Sequence, residues 1–144
     1  MSARTEMLES VGRHTSGNVT SLGSQMAKSV LTALGDAFSE KIVACTVDRA
    51  RTVEEISNME GIPLSTCYRR IRGLLDSGLL VIERIIITGS GNRYATYRSS
   101  FKSYHVSIDA HGLDVQAELN EDVAEKYRSR QLTIAHADRF TGAA

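Results

Sequence analysis

Four polar residues in the middle of the chain are spaced to share one face of a helix. At about 100° per residue, Ser65, Thr66, Arg69 and Arg72 lie opposite the apolar residues of their segment, and Gly73 adds no bulk beside them. Guanidinium groups bind phosphate oxygens and guanine edges, and hydroxyls bind either. This face is suited to close contact with a nucleic-acid duplex, although arginines opposite an apolar stripe are also typical of a solvated helix surface.

The opposite face of the same segment predicts a helix anchored in a core. Pro63 is compatible with a first helical turn, and Gly78 supplies the left-handed residue that often ends a helix. The apolar residues recur at the spacing of one helical stripe. They are Leu64, Cys67, Ile71, Leu74 and Leu75.

A short helix is predicted from Ser29, where Val30, Leu31 and Leu34 recur, and it breaks at Gly35-Asp36. Two further helices are predicted between this break and the arginine-bearing helix. Asp36 can cap a helix that continues to about Cys45, and residues 52–55 (Thr-Val-Glu-Glu) have the spacing of a capping box. Ile56 and Met59 give the second helix an inward face, and Gly61 ends it. Only Gly-Ile-Pro separates it from the arginine-bearing helix. Two helices joined by so few residues must cross steeply, which predicts a helix-turn-helix.

A β-hairpin is predicted directly after the arginine-bearing helix. Residues 80–88 are β-branched and apolar, and residues 89–92 (Gly-Ser-Gly-Asn) form a turn cluster. Arg93 follows the turn, while Arg84 and Arg98 lie along the two strands. We expect Arg93, Arg98 and the nearby Lys102 to contact a phosphate backbone. The alternative is an exposed hairpin whose arginines only protect its edges from aggregation.

The distribution of charge favours a polyanion as the partner of this central region. The whole chain has 17 Lys and Arg against 17 Asp and Glu, so the formal net charge is zero. Residues 64–102 nevertheless hold seven Lys and Arg against two Asp and Glu. A local basic surface attracts nucleic acid whatever the total charge.

The residues after the hairpin predict a second unit. Apolar and polar residues alternate over 106–108 and 113–119 around the turn 109–112, which predicts another β-hairpin. Asn120 is expected to cap a helix that ends near residue 132. Because a hairpin with one apolar face needs a cover, this unit is a candidate dimerisation surface, covered either by the chain's own preceding elements or by a second subunit.

The order of these elements resembles the winged helix-turn-helix domains of the arsenic-repressor-like class, specifically archaeal transcriptional regulators. The matching stretches are Leu34-Gly35-Asp36, Thr52-Val53-Glu54-Glu55-Ile56, the run Leu64 to Ile71, and the run Leu74 to Leu80. In such proteins the third helix enters the major groove and the wing touches the flanking backbone. The resemblance therefore implies DNA contacts for Ser65, Thr66, Arg69, Arg70, Arg72 and Arg93.

These observations predict an α+β protein with a winged helix-turn-helix, a C-terminal β-hairpin and a terminal helix. The expected division is a flexible tail at 1–28, the winged helix-turn-helix at 29–102, the C-terminal hairpin and helix at 103–132, and a frayed tail at 133–144. The expected function is sequence-specific binding of double-stranded DNA by a homodimeric transcription regulator. The alternative is a protein-interaction module within a larger transcription-related assembly.

Several other classes of function find little support in the sequence. No Gly-rich phosphate loop, nucleophile elbow or His-Glu-x-x-His motif is present, so no enzyme activity is expected. Cys45 and Cys67 are single residues on apolar stripes, unlike the paired cysteines of metal sensors. Asp109, His111, His136 and Asp138 lack a matched spacing, so neither a metal nor a cofactor is expected. No long apolar span or signal peptide is evident, which predicts a cytoplasmic protein without a membrane partner.

Overall fold

The structure is a computed structural model, and it describes residues 19–123. Within that range the chain forms four helices and five strands, followed by a helical turn at 121–123. In chain order they are β1 (Val19–Ser21), α1 (Ser24–Leu34), α2 (Ala37–Cys45), α3 (Val53–Glu60), α4 (Leu64–Asp76), β2 (Leu80–Ile87), β3 (Arg93–Ser99), β4 (Phe101–Asp109) and β5 (Gly112–Leu119). The protein is therefore an α+β fold, as the sequence predicts.

The caps of α2 and α3 are those predicted from the sequence. The backbone N–H of Ser39 donates to the Asp36 carboxylate over 2.9 Å, and that of Glu55 donates to the Thr52 hydroxyl over 3.1 Å. Gly61 ends α3 with a φ of 63°, in the left-handed region that favours glycine. These short-range bonds fix the positions at which the two helices begin and end.

The turn between α3 and α4 is held by its own residues. The side chain of Ile62 is buried in the core, and its carbonyl accepts a 2.6 Å hydrogen bond from the hydroxyl of Ser57. Pro63 is the N-cap of α4, and Gly78 follows the helix with a φ of 81°. The short connection and both boundaries of the arginine-bearing helix are thus as the sequence predicts.

The core is formed by one face of each helix together with the inner ends of the strands. Two residues expected to face it do not: Leu64 is 45% exposed and Met59 is 52% exposed. Both lie close to the tight turn, where the crossing of α3 and α4 directs them to solvent. The main core residues are Val30, Ile42, Ile56, Cys67, Ile71, Leu74, Leu79, Leu80, Phe101 and Val115.

The predicted hairpin of β2 and β3 is confirmed, and a third segment pairs with it. Its two strands are antiparallel, and the pairing register shifts between Ile82 and Arg84. Arg51, just before α3, exchanges two backbone hydrogen bonds with Tyr97 of β3, at 3.0 and 2.8 Å. This bridge ties the start of α3 to the inner strand of the hairpin.

The second hairpin is also confirmed, and it belongs to a separate three-stranded antiparallel sheet with the strand order β1-β5-β4. The expectation that residues 1–28 form a flexible tail is wrong for residues 19–28. Thr20 pairs with Ala117 of β5, and α1 begins at Ser24 and buries Ala27. The isolated apolar residues of this stretch show no period because they serve a strand and a helix in succession. Residues 1–18 lie outside the described range.

A small network joins the end of α2 to both hairpins. Asn120, expected to cap a helix, stands directly before the helical turn at 121–123, and its side-chain amide donates to the backbone carbonyls of Val47 (2.9 Å) and Ser99 (3.4 Å). Ser100, the single residue between β3 and β4, donates its N–H to Leu79 and its hydroxyl to Gly78. The predicted helix beyond residue 123 and the predicted tail at 133–144 lie outside the described range.

None of the helices formed by residues 19–123 combines the length and the apolar character needed to cross a membrane.

Candidate functional site

The outward face of α4 presents the predicted contact residues to solvent. Ser65, Arg69, Arg72 and Gly73 are exposed, and Thr66 is half-buried. The inward face holds them in place because Cys67, Ile71 and Leu74 are almost completely buried. The two faces of this helix are therefore separated as the sequence predicts.

Gly73 leaves an open gap in the outward face. A Cβ atom added at this position would have no heavy atom within 4 Å. The backbone of α4 is consequently accessible from outside at Gly73, next to Arg69 and Arg72. Another macromolecule can approach the helix more closely here than where longer side chains intervene.

Arg70 is drawn away from the other arginines toward the start of α2. Its Nε lies 3.1 Å from the carboxylate of Asp36, and its side chain is about one-third exposed. Asp36 also accepts the backbone N–H of Ser39. The hydrogen bonds from Ser39, and to a smaller extent the charge of Arg70, lower the pKa of the Asp36 carboxyl. Arg70 thus helps to hold α4 against α2, which leaves it less available than Arg69 and Arg72.

A groove runs between α4 and the β2–β3 hairpin, and both elements contribute polar side chains to it. One part, of about 510 Å³, is lined by residues of α4 that include Ser65, Tyr68, Arg69 and Arg72. The adjoining part, of about 340 Å³, is lined by Tyr68, by hairpin residues that include Arg93 and Tyr94, and by residues at the start of α3 that include Glu54. The structure therefore brings Arg93 and the α4 arginines to the same surface. We call this surface the α4–hairpin groove.

Sequence reasoning missed the aromatic residues of this groove. Tyr68 is 52% exposed and Tyr94 is 39% exposed. Tyr68 lies between the arginines and the hairpin, where its ring and hydroxyl can contact an apolar or a polar partner. The available signal was an aromatic residue directly before Arg69 on a helix whose apolar stripe passes through Cys67.

Arg98 does not belong to this surface, and its prediction as a DNA contact is wrong. Its side chain is buried and donates through Nε to the carbonyl of Val47 over 3.0 Å. Its Nη2 lies 2.9 Å from the Asp122 carboxylate, and its Nη1 lies 3.9 Å from that of Glu83. The guanidinium is occupied in joining β3 to neighbouring segments, so it is not available to a phosphate.

Lys102 lies in a different part of the fold from the one expected. It is exposed, but it belongs to β4 of the three-stranded sheet, at the register shift between Phe101 and Ser103. No local pattern indicates this position, because the chain passes from one sheet to the other within the single residue Ser100. Lys102 is therefore separated by topology from the hairpin that carries Arg93.

A second cleft, of about 530 Å³, lies between α1 and α4. Its lining includes Lys28 of α1 together with Arg69, Arg70 and Gly73 of α4. The sequence predicts a tail at Lys28, so its position beside the arginines is a finding of the structure. The positive charge beside α4 therefore extends onto α1.

The cysteines and the candidate metal ligands offer no comparable site. Burial raises the pKa of the Cys45 thiol to about 11, with a contribution from the negative charge of Glu60, and burial also raises that of Cys67. Both thiols are unpaired. Among residues 19–123, no group of three or more His, Cys, Asp or Glu side chains is arranged to hold a metal ion. His136 and Asp138 lie outside the described residues.

No protein-family model matches this chain, and no curated protein sequence matches it either.

Proposed function

We propose that the protein is a winged helix-turn-helix regulator that binds double-stranded DNA sequence-specifically, related in architecture to the arsenic-repressor-like class. The order of elements from α2 to β3 supports this proposal. Three helices with a tight turn between the last two are followed by a hairpin, and Arg51 adds a short bridge to its inner strand. That bridge gives the hairpin the support that a wing requires.

The observation that carries the proposal is the division of α4 into two faces. Arg69 and Arg72 project from a helix whose other face is locked into the core by Ile71 and Leu74. A helix held in this way can enter the major groove, which is wide enough for it, without losing its contacts to the protein. No bound partner is needed to expose these arginines.

In the proposed complex each part of the α4–hairpin groove has a separate role. Arg69 and Arg72 bind guanine edges, while Ser65 and Thr66 bind neighbouring bases or phosphates. Arg93 contacts the backbone beside the major groove, and Arg70 adds charge from its position next to Asp36. Lys28 on α1 is placed to neutralise a phosphate at the other side of α4. The proposed binding involves no cofactor and no catalysis, and the proposed location of the protein is the cytoplasm.

The proposal is tested by selecting bound fragments from a random double-stranded pool and measuring affinity for the selected sequence by fluorescence anisotropy. Arg69→Ala should weaken binding by about 1 to 3 kcal/mol and relax preference at the base pairs it contacts. Arg49→Ala is the matched control, since Arg49 is exposed but lines neither the α4–hairpin groove nor the cleft between α1 and α4. Its affinity should stay within about twofold of the unchanged protein.

Salt dependence gives a second criterion. Affinity should fall by about 0.9 log units per log unit of salt for each phosphate neutralised. Selection that yields no preferred sequence, together with a flat salt response, would contradict DNA recognition. In that event, capture of an acidic protein partner that survives nuclease treatment would favour the protein-interaction alternative.

A further inference from the structure

Within residues 19–123, no strand pairs with the outer edge of β4 in the three-stranded sheet. The strand order is β1-β5-β4, and within residues 19–123 β4 pairs with β5 alone. The register shift and the charge of Lys102 interrupt only the beginning of this edge. From Ser103 to Ile108 the strand is regular, and its only ionisable groups are Tyr104 and His105. Unpaired backbone groups on such an edge are a template for another strand.

The same strand is covered at one end and bare at the other. At its beginning Phe101 is buried and packs edge-to-face on Tyr104, with ring centroids 5.4 Å apart. At its far end Ile108 is 79% exposed, and Val106 and Leu113 on the same face are also exposed. The apolar face of the second hairpin therefore extends well beyond the part that α1 and the core cover.

We propose that a second copy of this chain pairs with β4 antiparallel, edge to edge, to form a dimer with a continuous six-stranded sheet. The two-fold axis passes near Val106. This proposal rests on the strand edge and its side chains, not on DNA recognition, and it names the surface of the homodimer expected from the sequence.

The apolar residues of β4 are complementary in this arrangement. With the axis at Val106, Ile108 lies opposite the partner's Tyr104 on the same face of the sheet, since directly opposed residues share a face. The bare end of each strand then adjoins the covered end of the other. Ile108 thereby gains the partner's Tyr104 as an apolar neighbour, in addition to Leu113, the residue opposite it within its own chain.

The charges at the two ends of β4 are complementary as well. Lys102 lies at its beginning and Asp109 at its end, so antiparallel pairing brings each Lys102 next to the partner's Asp109. Moving the axis by one residue, to His105, also keeps Lys102 within one residue of the partner's Asp109. A parallel pair would instead place Lys102 beside the partner's Lys102 and Asp109 beside the partner's Asp109, which is unfavourable.

The charge pairing allows a test by exchange, using the full chain without DNA. Lys102→Glu alone and Asp109→Lys alone each create like-charge pairs at both ends and should weaken self-association about tenfold in sedimentation equilibrium. Mixing the two variants restores an opposite pair at each end. Native mass spectrometry of the mixture should therefore show the heterodimer well above its statistical share.

Circular dichroism shows whether each variant is folded before mixing. Because Asp109 also accepts the backbone N–H of His111 in its turn, Asp109→Asn serves as a second variant that keeps an acceptor there. It should weaken association less than Asp109→Lys. A monomeric wild-type chain at high micromolar concentration, or a mixture of folded variants with no excess of heterodimer, would overturn the proposal.

A second pair of variants separates edge pairing from other contacts. Ile108→Lys should weaken self-association about tenfold, whereas the matched Ser107→Lys, on the opposite face, should change it much less. Backbone amides of residues 103–108 should also become more protected from hydrogen exchange as protein concentration rises. Protection that does not depend on concentration would contradict pairing with a second copy, and would point to residues of the same chain outside 19–123 as the cover.

Discussion

Arg98 of β3 and Asp122, just after β5, form an ion pair at 2.9 Å between Nη2 and Oδ2 that joins the first hairpin to the end of the second. The Arg98 Nε donates at the same time to the carbonyl of Val47, which also accepts from Asn120. Three separate stretches of the chain therefore meet at this guanidinium. Its role is to hold the two sheets and α2 together.

Replacing this arginine should cost stability rather than binding. Arg98→Ala removes a buried charge and leaves Glu83 and Asp122 without their cation, so we expect the free energy of unfolding to fall by about 3 kcal/mol in urea titrations. Asp122→Asn is the matched control and should cost less than about 1 kcal/mol, because the Asp122 side chain is 70% exposed. If Arg98→Ala changed the salt dependence of DNA binding without lowering stability, Arg98 would be a DNA contact after all.

The cap of α2 can be separated from its ion pair with Arg70. Asp36→Ala removes both and should lower the free energy of unfolding by about 1 kcal/mol. Asp36→Ser keeps an oxygen that can accept the backbone N–H of Ser39, so it should recover most of that loss. Equal losses in the two variants would mean that the pair with Arg70, and not the cap, supplies the stabilisation.

The pH dependence of stability at Asp36 follows from the same contacts. Its pKa is lowered in the folded state, so the carboxylate stabilises the fold above the unfolded-state pKa of about 3.9. The stabilisation disappears as the pH falls through the lower folded-state value. The stability advantage of the wild-type chain over Asp36→Ser should therefore be constant near neutral pH and shrink below about pH 4. An advantage that stays constant as the pH falls from 5 to 2 would contradict this assignment.

Both cysteines should be unreactive near neutral pH. Burial raises the pKa of each thiol, to about 11 for Cys45, so almost no thiolate is present at pH 7. Iodoacetamide should label the folded protein far more slowly than a free cysteine, and labelling should become rapid after unfolding in urea. Fast labelling of the folded chain, or a loss of DNA affinity on mild oxidation that reductant reverses, would indicate a thiol switch instead.

Substitutions at Gly73 separate stability from the proposed DNA binding. Gly73→Ala should raise the free energy of unfolding by about 0.5 to 1 kcal/mol, since alanine favours a helix interior and the added Cβ meets nothing within 4 Å. Gly73→Leu should fold equally well but fill the gap on the outward face. Anisotropy should then show at least a tenfold loss of DNA affinity for leucine, and an unchanged affinity would argue against close approach at this position.

The features that the sequence predicted correctly depend on residues close together in the chain. The caps at Asp36 and Thr52, the left-handed Gly61 and the turn at 109–112 each need only a few neighbouring residues to define them. The stripe of α4 was predicted for the same reason. Local patterns therefore sufficed for most element boundaries and for the exposed arginines of α4.

The features that were missed depend on partners far away in the chain. From its neighbours in the sequence, Arg98 is expected to be an exposed residue of the hairpin. Its partners Val47 and Asp122 are 51 and 24 residues away along the chain. Thr20 has no strand signal of its own, because its partner in β5 lies almost a hundred residues later. Such contacts are set by the tertiary fold, which no local pattern specifies.

The passage from β3 to β4 occupies only Ser100, which is buried and bonded through its N–H, its hydroxyl and its carbonyl. Because this connection is one residue long and its polar groups are hydrogen-bonded, the two sheets have little freedom to rotate relative to each other. In a dimer built on β4, the distance between the two copies of α4 would thus be determined by the fold itself. An operator with one base pair inserted between its half-sites should then be bound by one subunit at a time.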